Sequence, residues 1–233
     1  MSVNLQKERL DQLTLDVEFL LISVVQGVAL GFLASEAGAL VQDLRFEYWI
    51  YIVSAFQFIL IFWSGAIIHS ISFVKWPLDL YHNFLYFLAG LVEVMAFSQM
   101  DHPLRWFIFV LGFFAVSGAA YFVDLNLIKK HKVDFEESEK KRTLYKHILQ
   151  RQIWELKYLV PAGIIFSLVA IFLIYAYPQV FIAGKYHVVL AVAQVVFGFM
   201  MIYNFMQSYK VRSRLITESI AIGPERSRRE EVR

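Results

Sequence analysis

The chain alternates long apolar runs with short polar segments. Six runs reach about twenty residues, the length at which an α-helix crosses roughly 30 Å of hydrocarbon. This pattern predicts an all-α, polytopic integral membrane bundle of six transmembrane helices. The predicted spans lie at about 17–35, 48–74, 78–98, 104–125, 159–178 and 186–208.

Proline positions support these boundaries independently. Pro77, Pro103 and Pro161 each fall in the first turn of a predicted span, where a missing backbone N–H costs little. Pro178 closes the fifth span. The proline pattern therefore indicates uninterrupted spans.

The distribution of basic residues predicts the orientation. If the N-terminus is inside, only Arg45, Arg105 and Lys185 of the 22 Lys and Arg residues fall in outside loops. Basic residues concentrate in cytoplasmic loops of membrane proteins. We therefore expect a multi-pass protein of the cell membrane (the inner or plasma membrane) with both termini in the cytoplasm.

Composition narrows the class of protein further. The chain is 58% hydrophobic and 17% aromatic, with a mean hydropathy of +0.54, above the range of soluble domains. It has no cysteine, which excludes thiolate catalysis, cysteine-based zinc sites and iron–sulfur clusters. We divide it into a transmembrane domain over 1–209, containing an amphipathic cytoplasmic segment at 126–158, and a charged cytoplasmic tail over 210–233.

The third predicted span carries a stripe of polar residues. Asp79, His82, Asn83, Tyr86 and Glu93 recur at a helical spacing that keeps them on one face. An ionisable side chain at mid-bilayer costs about 2.5–3.5 kcal/mol on insertion scales, so such a residue indicates a functional site by default. The stripe is interpreted as lining a pore or solute path. The alternative is a polar contact between helices.

Other spans place polar groups at a similar depth. Gln26, Gln57 and Gln194 lie near the predicted depth of Glu93, and Asp124 is a further polar residue of the fourth span. If the glutamines and Glu93 converge in space, they form a solute or ion site. Each glutamine taken singly is more often a hydrogen bond between helices.

Metal binding has incomplete support. His69, Asp79 and His82 lie near one another across a short connection, and imidazole and carboxylate groups bind zinc. The ligand set is incomplete, and neither an HExxH motif nor a histidine box is present. We therefore expect no metal and no cofactor.

Small residues indicate close helix packing at two places. Gly27 and Gly31 form a GxxxG motif in the first span, and Ala115 and Ala119 form a similar surface in the fourth. The contact lies either within a subunit or between subunits. We expect a homo-oligomer.

The amphipathic segment at 126–158 is the longest cytoplasmic connection. Lys140, Lys141, Arg142, Arg151 and Trp154 are its candidate contacts with anionic lipid or a cytosolic protein partner. Alternatively, the segment extends the fifth helix and packs on a neighbouring subunit. A nucleic-acid partner is not expected, because charges of both signs mix in the tail and no aromatic residues interleave.

These observations favour transport over two alternatives. The first hypothesis is an oligomeric ion or small-solute channel lined by the third helix. The second is a non-catalytic sensor or scaffold that binds a partner or lipid through 126–158 and the tail. The third is an intramembrane enzyme using Asp79, His82, His69 or Glu93. No nucleophile elbow or phosphate loop supports catalysis, so we expect no enzyme.

Overall fold

The computed structural model describes residues 3–72, 80–135 and 139–220. Within these ranges the chain is helical almost throughout and contains no strand. The seven α-helices of this part of the chain are α1 Val3–Gln42, α2 Trp49–Ser72, α3 Leu80–Phe97, α4 Pro103–Lys130, α5 Glu139–Trp154, α6 Val160–Ala176 and α7 His187–Ile220. Short 3₁₀ turns cover Phe46–Tyr48 and His131–Phe135, and π turns cover Glu155–Leu159 and Gln179–Ala183.

Five helical segments are long and apolar enough to cross a membrane. They are Phe19–Gln42, Phe46–Ile68, Pro103–Lys130, Glu139–Ala176 and His187–Thr217. The helix matching the third predicted span, Tyr81–Phe97, is apolar but shorter. The prediction of an all-helical membrane bundle is confirmed at this level, while the count of six spans and the orientation stay predictions.

The helix that contains the fifth predicted span begins earlier than the proline pattern predicts. Helix α5 continues through the π turn Glu155–Leu159 directly into α6. Pro161 therefore lies inside a continuous helical segment. The proline has no N–H for the carbonyl four residues earlier, and the wider π turn just before it accommodates this irregularity in the hydrogen-bond ladder.

The helices pack around an aromatic core. Helix α3 lies against α4, α2 against α7, and α6 against α4, while α1 contacts α2 and α3. Tyr51, Phe97, Trp106 and Phe107 are fully buried in this core. Two ends of the bundle are distinguished below: the α5 end, with α5 and the last turns of α4 and α7, and the opposite end, with residues 43–48, 98–102 and 177–186.

An aromatic layer crosses the middle of the bundle. We use this name for Phe58, Phe62, Phe113, Phe114 and Phe197. The ring centroids of Phe58 and Phe113 are 5.0 Å apart in an edge-to-face arrangement, which aromatic pairs favour. A Cβ on Gly163 would overlap the Phe114 ring, so α6 approaches the layer closely only because residue 163 is glycine.

A second apolar cluster lies at the α5 end. Leu144 and Ile148 of α5 pack with Leu127 and Ile128 of α4, and residues near the end of α7 join them. The part of the 126–158 segment from Glu139 onward thus extends the helix of the fifth predicted span, as one sequence interpretation had it. Its apolar face is covered by α4 and α7 of the same chain, which the interpretation had assigned to a neighbouring subunit.

Candidate functional site

Helices α3 and α4 meet at a buried contact between His82 and Asp124, which is an ion pair when the imidazole is protonated. His82 Nδ1 lies 2.6 Å from Asp124 Oδ1, and the two side chains are 2% and 3% exposed. Tyr86, one turn further along α3, places its ring centroid 4.5 Å from that of the imidazole. The spacing of the polar stripe brings His82 and Tyr86 onto one face of α3, and that face meets α4.

A cavity of about 60 Å³ adjoins this pair. The Asp124 carboxylate lines one part of it, and five aromatic side chains contribute to its walls: Phe62, Tyr86, Phe113, Phe114 and Tyr121. The remaining lining is mainly aliphatic and comes from α2, α3, α4, α7 and the start of α6. The cavity is therefore a partly open, mainly apolar pocket with a carboxylate on its wall.

Another group of polar contacts lies on the opposite side of the aromatic layer. The Tyr51 hydroxyl is 3.1 Å from His187 Nδ1, and Trp106 Nε1 donates to Gln194 Oε1 at 3.0 Å. Gln57 Nε2 donates to the Val195 carbonyl at 3.1 Å. Phe58 and Phe113 lie between these groups and the cavity, because α2 and α4 run from this polar region through the layer to the α5 end.

Glu93 meets α1 of its own chain. Gln26 Nε2 donates to Glu93 Oε2 at 3.2 Å, and the two residues are 5% and 1% exposed. A Cβ on Gly90 would overlap Val25, so α3 and α1 are in close contact beside this pair. Glu93 is therefore enclosed by protein within one subunit.

The four polar groups predicted at intermediate depth do not share one set of contacts. Glu93 and Gln26 bind each other across α1 and α3, whereas Gln57 binds α7 and Gln194 binds α4. Asn83 is partly buried and borders a smaller cavity with Tyr86. Lining of a solute path by these residues stays a prediction.

A buried ionic cluster ties α5 to α7. Arg151 Nε lies 2.6 Å from Glu155 Oε1, and Arg151 Nη1 donates to Asn204 Oδ1 at 2.7 Å. Arg212, also buried, acts electrostatically on Glu155. Gln152 Nε2 donates to the Tyr121 carbonyl at 2.9 Å, which joins the cluster to α4.

Sequence reasoning missed Glu155, Gln152 and Arg212 as site residues. The available signal was the four-residue spacing of Arg151 and Glu155, which pairs opposite charges on one helix face. Their burial depends on α7, which lies about fifty residues further along the chain, as the separation of Arg151 and Asn204 shows. Local spacing does not report such a contact.

The predicted lipid or partner contacts divide into two groups. Lys140 and Arg142 are exposed on α5, and Lys141 is partly exposed. Arg151 instead turns into the ionic cluster, with its guanidinium 4.7 Å from the ring centroid of the more exposed Trp154. Lys140, Arg142 and Lys146 thus present basic groups outward from α5, whereas Arg151 does not.

The small residues predicted to pack lie on the outside of this bundle. Gly27, Gly31, Ala115 and Ala119 are exposed, and a Cβ on either glycine would meet nothing within 4 Å. Gly118 by contrast faces Val160 of α6. The two predicted surfaces are therefore open to lipid or to another helix.

Two of the three candidate metal ligands have side chains outside the part of the chain that the structure describes. Asp79 lies outside the described residues, and the His69 side chain is likewise outside them. Among the described residues, no group of three or more His, Asp or Glu side chains is arranged to hold a metal ion.

Two ion pairs join the connections at the opposite end. Arg45 Nη1 lies 3.2 Å from Asp101 Oδ2, and Lys185 Nζ lies 3.1 Å from Glu47 Oε1. These pairs link the α1–α2 connection to the α3–α4 and α6–α7 connections. Comparisons with protein-family models, curated proteins and solved structures found no match to this chain.

Proposed function

We propose that the chain is a membrane transport protein that carries protons or small cations through its own helix bundle. The observation that carries this proposal is the buried His82–Asp124 pair beside the central cavity. Carboxylate and imidazole groups inside a membrane are costly, and they mark ion pathways and proton relays in transporters. A pair that can exchange a proton or a cation suits such a role.

The arrangement of polar and aromatic groups supports a path inside one subunit. Polar contacts lie on both sides of the aromatic layer, and the layer itself is apolar. Hydrophobic constrictions close membrane pathways because water and ions are unstable in them. The proposed path is closed at Phe58 and Phe113 and opens when these side chains move apart.

This proposal differs from the intersubunit pore inferred from the polar stripe. A stripe that lines an intersubunit pore must face outward, whereas His82 faces α4 and Glu93 faces α1. An oligomer stays part of the proposal through the outward surfaces at Gly27 and Ala115. In this arrangement, each subunit would carry its own path.

The proposed orientation follows the distribution of basic residues. In this proposal six helices span a cell membrane, and the α5 end and both termini lie on its cytoplasmic side. The exposed Lys140 and Arg142 then lie on the cytoplasmic side. The bilayer is the proposed surrounding partner, and the proposal assigns no catalytic residue.

Proteoliposomes provide the test. Purified protein is reconstituted, and proton or cation flux is followed with an internal fluorescent dye after a gradient is imposed. We expect Asp124→Asn to abolish flux, because the amide cannot pair with a proton or a cation in the same way. Asp43→Asn, an exposed change outside the path, is the control and retains flux. Absence of flux in the wild type, or full flux in Asp124→Asn, contradicts the proposal.

One observation favours a sensor or scaffold as a second candidate. The α5 end has its own apolar cluster, and α5 is continuous with α6, so a partner or lipid bound at Lys140 and Arg142 would act directly on a membrane helix. The charge reversals Lys140→Glu and Arg142→Glu separate the roles. Transport predicts flux close to the wild-type value in the double variant. A sensor predicts no flux in any variant and weaker binding of the double variant to anionic vesicles.

A further inference from the structure

The cavity beside Asp124 combines two chemical features. Its walls are apolar and include the rings of Phe62, Tyr86, Phe113, Phe114 and Tyr121, while Asp124 adds a carboxylate. The ring centroids of Phe62 and Tyr86 are 5.2 Å apart, so aromatic surface from α2 and α3 meets beside the space. A bound ligand would therefore contact ring surface and a carboxylate together.

This combination selects among cations. A small metal ion needs several oxygen ligands to replace its water shell, and an apolar wall does not supply them. A substituted ammonium ion carries its charge beneath methyl groups, so it loses less on leaving water. Aromatic faces attract such cations, and sites for quaternary ammonium groups are built from aromatic residues.

The cavity volume limits the size of the ligand. The centre of a water-sized sphere can move through about 60 Å³ of this space, so the room between the walls is larger than that by one water radius on every side. Such a space suits a compact ligand. Tetramethylammonium has a single shell of methyl groups around its nitrogen, whereas the longer arms of tetrapropylammonium would extend beyond the space.

We propose that this cavity is a binding site for a small substituted ammonium ion, with its charge beside Asp124 and its methyl groups against the aromatic walls. The inference rests on the proposed transport function only in treating this ion as the transported species. Binding itself can be measured without transport.

His82 gives the site a link to protons. Its Nδ1 contacts the carboxylate that the ammonium ion would pair with. When His82 is protonated, the imidazolium and the ligand compete for Asp124. Binding of one ammonium ion then releases one proton from His82 to water, and the total charge of the site is unchanged.

Other titratable and charged groups surround Asp124. Tyr86 of α3 contacts the His82 ring, and Tyr121 of α4 lines the cavity. Glu155 of the π turn acts electrostatically on the same region, together with Arg151 and with Arg212 of α7. The guanidinium groups of Arg151 and Arg212 stay protonated, and Arg151 pairs with the Glu155 carboxylate, so His82 is the group expected to exchange a proton on binding.

Calorimetric titration of the full chain in lipid nanodiscs tests the site. The probe is tetramethylammonium, and empty nanodiscs provide the background. Neutral tert-butanol has the same number of heavy atoms, and tetrapropylammonium has the charge but exceeds the volume. We expect binding of tetramethylammonium only. Equal binding of tert-butanol, or tight binding of tetrapropylammonium, overturns the inference.

Two variants locate the binding. Asp124→Asn removes the charge with little change of shape, and Gly65→Leu fills the cavity from α2, where an added Cβ meets nothing within 4 Å. Each should weaken tetramethylammonium binding at least about tenfold, which corresponds to 1.4 kcal/mol. Thermal unfolding of each variant checks that it is folded. Wild-type affinity in both folded variants overturns the inference.

The pH dependence tests the proton exchange. Where His82 is protonated, release of one proton per ligand raises the affinity about tenfold per pH unit. His82→Gln should bind with an affinity that no longer changes with pH. Binding without flux would leave this site in place and contradict the proposed transport. Flux of protons without tetramethylammonium binding would support transport and contradict the site.

Discussion

At the scale of single residues, the enclosure of Glu93 changes the meaning of the polar stripe. The periodicity of α3 correctly placed His82, Tyr86 and Glu93 on one face. The periodicity does not say what covers that face, because a polar face can avoid lipid by contacting either water or another helix. The contact with Gln26 comes from a residue 67 positions earlier. Only the folded chain reveals this pairing.

The Glu93–Gln26 contact predicts a small effect of Glu93→Gln. The carboxamide has the same shape and keeps an oxygen that accepts from Gln26 Nε2, so unfolding free energy should be unchanged or higher. Glu93→Ala removes the acceptor and should lose about 1–3 kcal/mol. Reversible unfolding in mixed micelles measures both variants. The prediction is wrong if the two substitutions destabilise the protein equally.

The variant Glu93→Gln also distinguishes a path along the polar stripe from a path beside Asp124. A pore lined by the stripe depends on the Glu93 charge, so Glu93→Gln should then lose flux. A path beside Asp124 does not pass the α1–α3 contact, and flux in proteoliposomes should stay at the wild-type value.

At the scale of helical elements, the sequence predicted which segments are helical better than how they join. Long apolar runs identify membrane helices because their length must match the bilayer. Pro161 was interpreted as the start of a helix, because proline is over-represented at the first helical position. The π turn before it instead lets α5 and α6 form one helical segment. Such a turn has no simple sequence signature.

Helix α5 shows a related limit. Leu144 and Ile148 lie together on one buried face of this helix, within the segment that was predicted to be amphipathic. An apolar face can lie on lipid headgroups or on other helices, because both remove it from water. The polar residues Gln152 and Glu155 decide between these outcomes, since each is buried in contact with other helices.

The ionic cluster predicts a large loss on removing Arg151. Glu155 is almost fully buried, and Arg151→Ala leaves its carboxylate without the 2.6 Å ion pair. Breaking a buried pair in this way costs about 3–5 kcal/mol. Lys146→Ala, an exposed change on the same helix, should stay within about 0.5 kcal/mol of the wild type.

Thermal or chemical unfolding of the purified protein measures this difference. The double variant Arg151→Leu with Glu155→Leu should recover part of the loss, because it also removes the carboxylate that Arg151→Ala leaves without its ion pair. Equal losses for Arg151→Ala and for the double variant would contradict an ionic origin of the stability.

At the scale of the whole molecule, the candidate site depends on the order in which polar and aromatic groups follow one another along the axis of the bundle. Polar groups at Tyr51 and Gln194, then aromatic rings, then the cavity and Asp124 follow one another from the opposite end to the α5 end. The sequence places each group at an approximate depth but does not say which groups meet. Gln57 and Gln194 therefore looked equivalent to Gln26, although they belong to a different set of contacts.

In the proposed path, the aromatic layer is the barrier to water and ions. Phe58 contacts the Phe113 and Phe114 rings, and its side chain fills the centre of the layer. Phe58→Ala should connect the polar region at the opposite end with the cavity and raise proton flux in proteoliposomes several-fold. Phe107→Ala is the matched control, since Phe107 is fully buried but packs outside the layer against Tyr51 and Phe166.

Both substitutions remove a buried ring and should cost about 3–5 kcal/mol of stability, so stability loss alone cannot separate them. A leak that appears in both variants would therefore indicate loosened packing and contradict a barrier at Phe58. If Phe58→Ala alone increases flux, adding Asp124→Asn distinguishes two kinds of path. Flux that falls again requires the carboxylate for passage of the ion, whereas unchanged flux means that removing the ring has opened a water-filled path past Asp124.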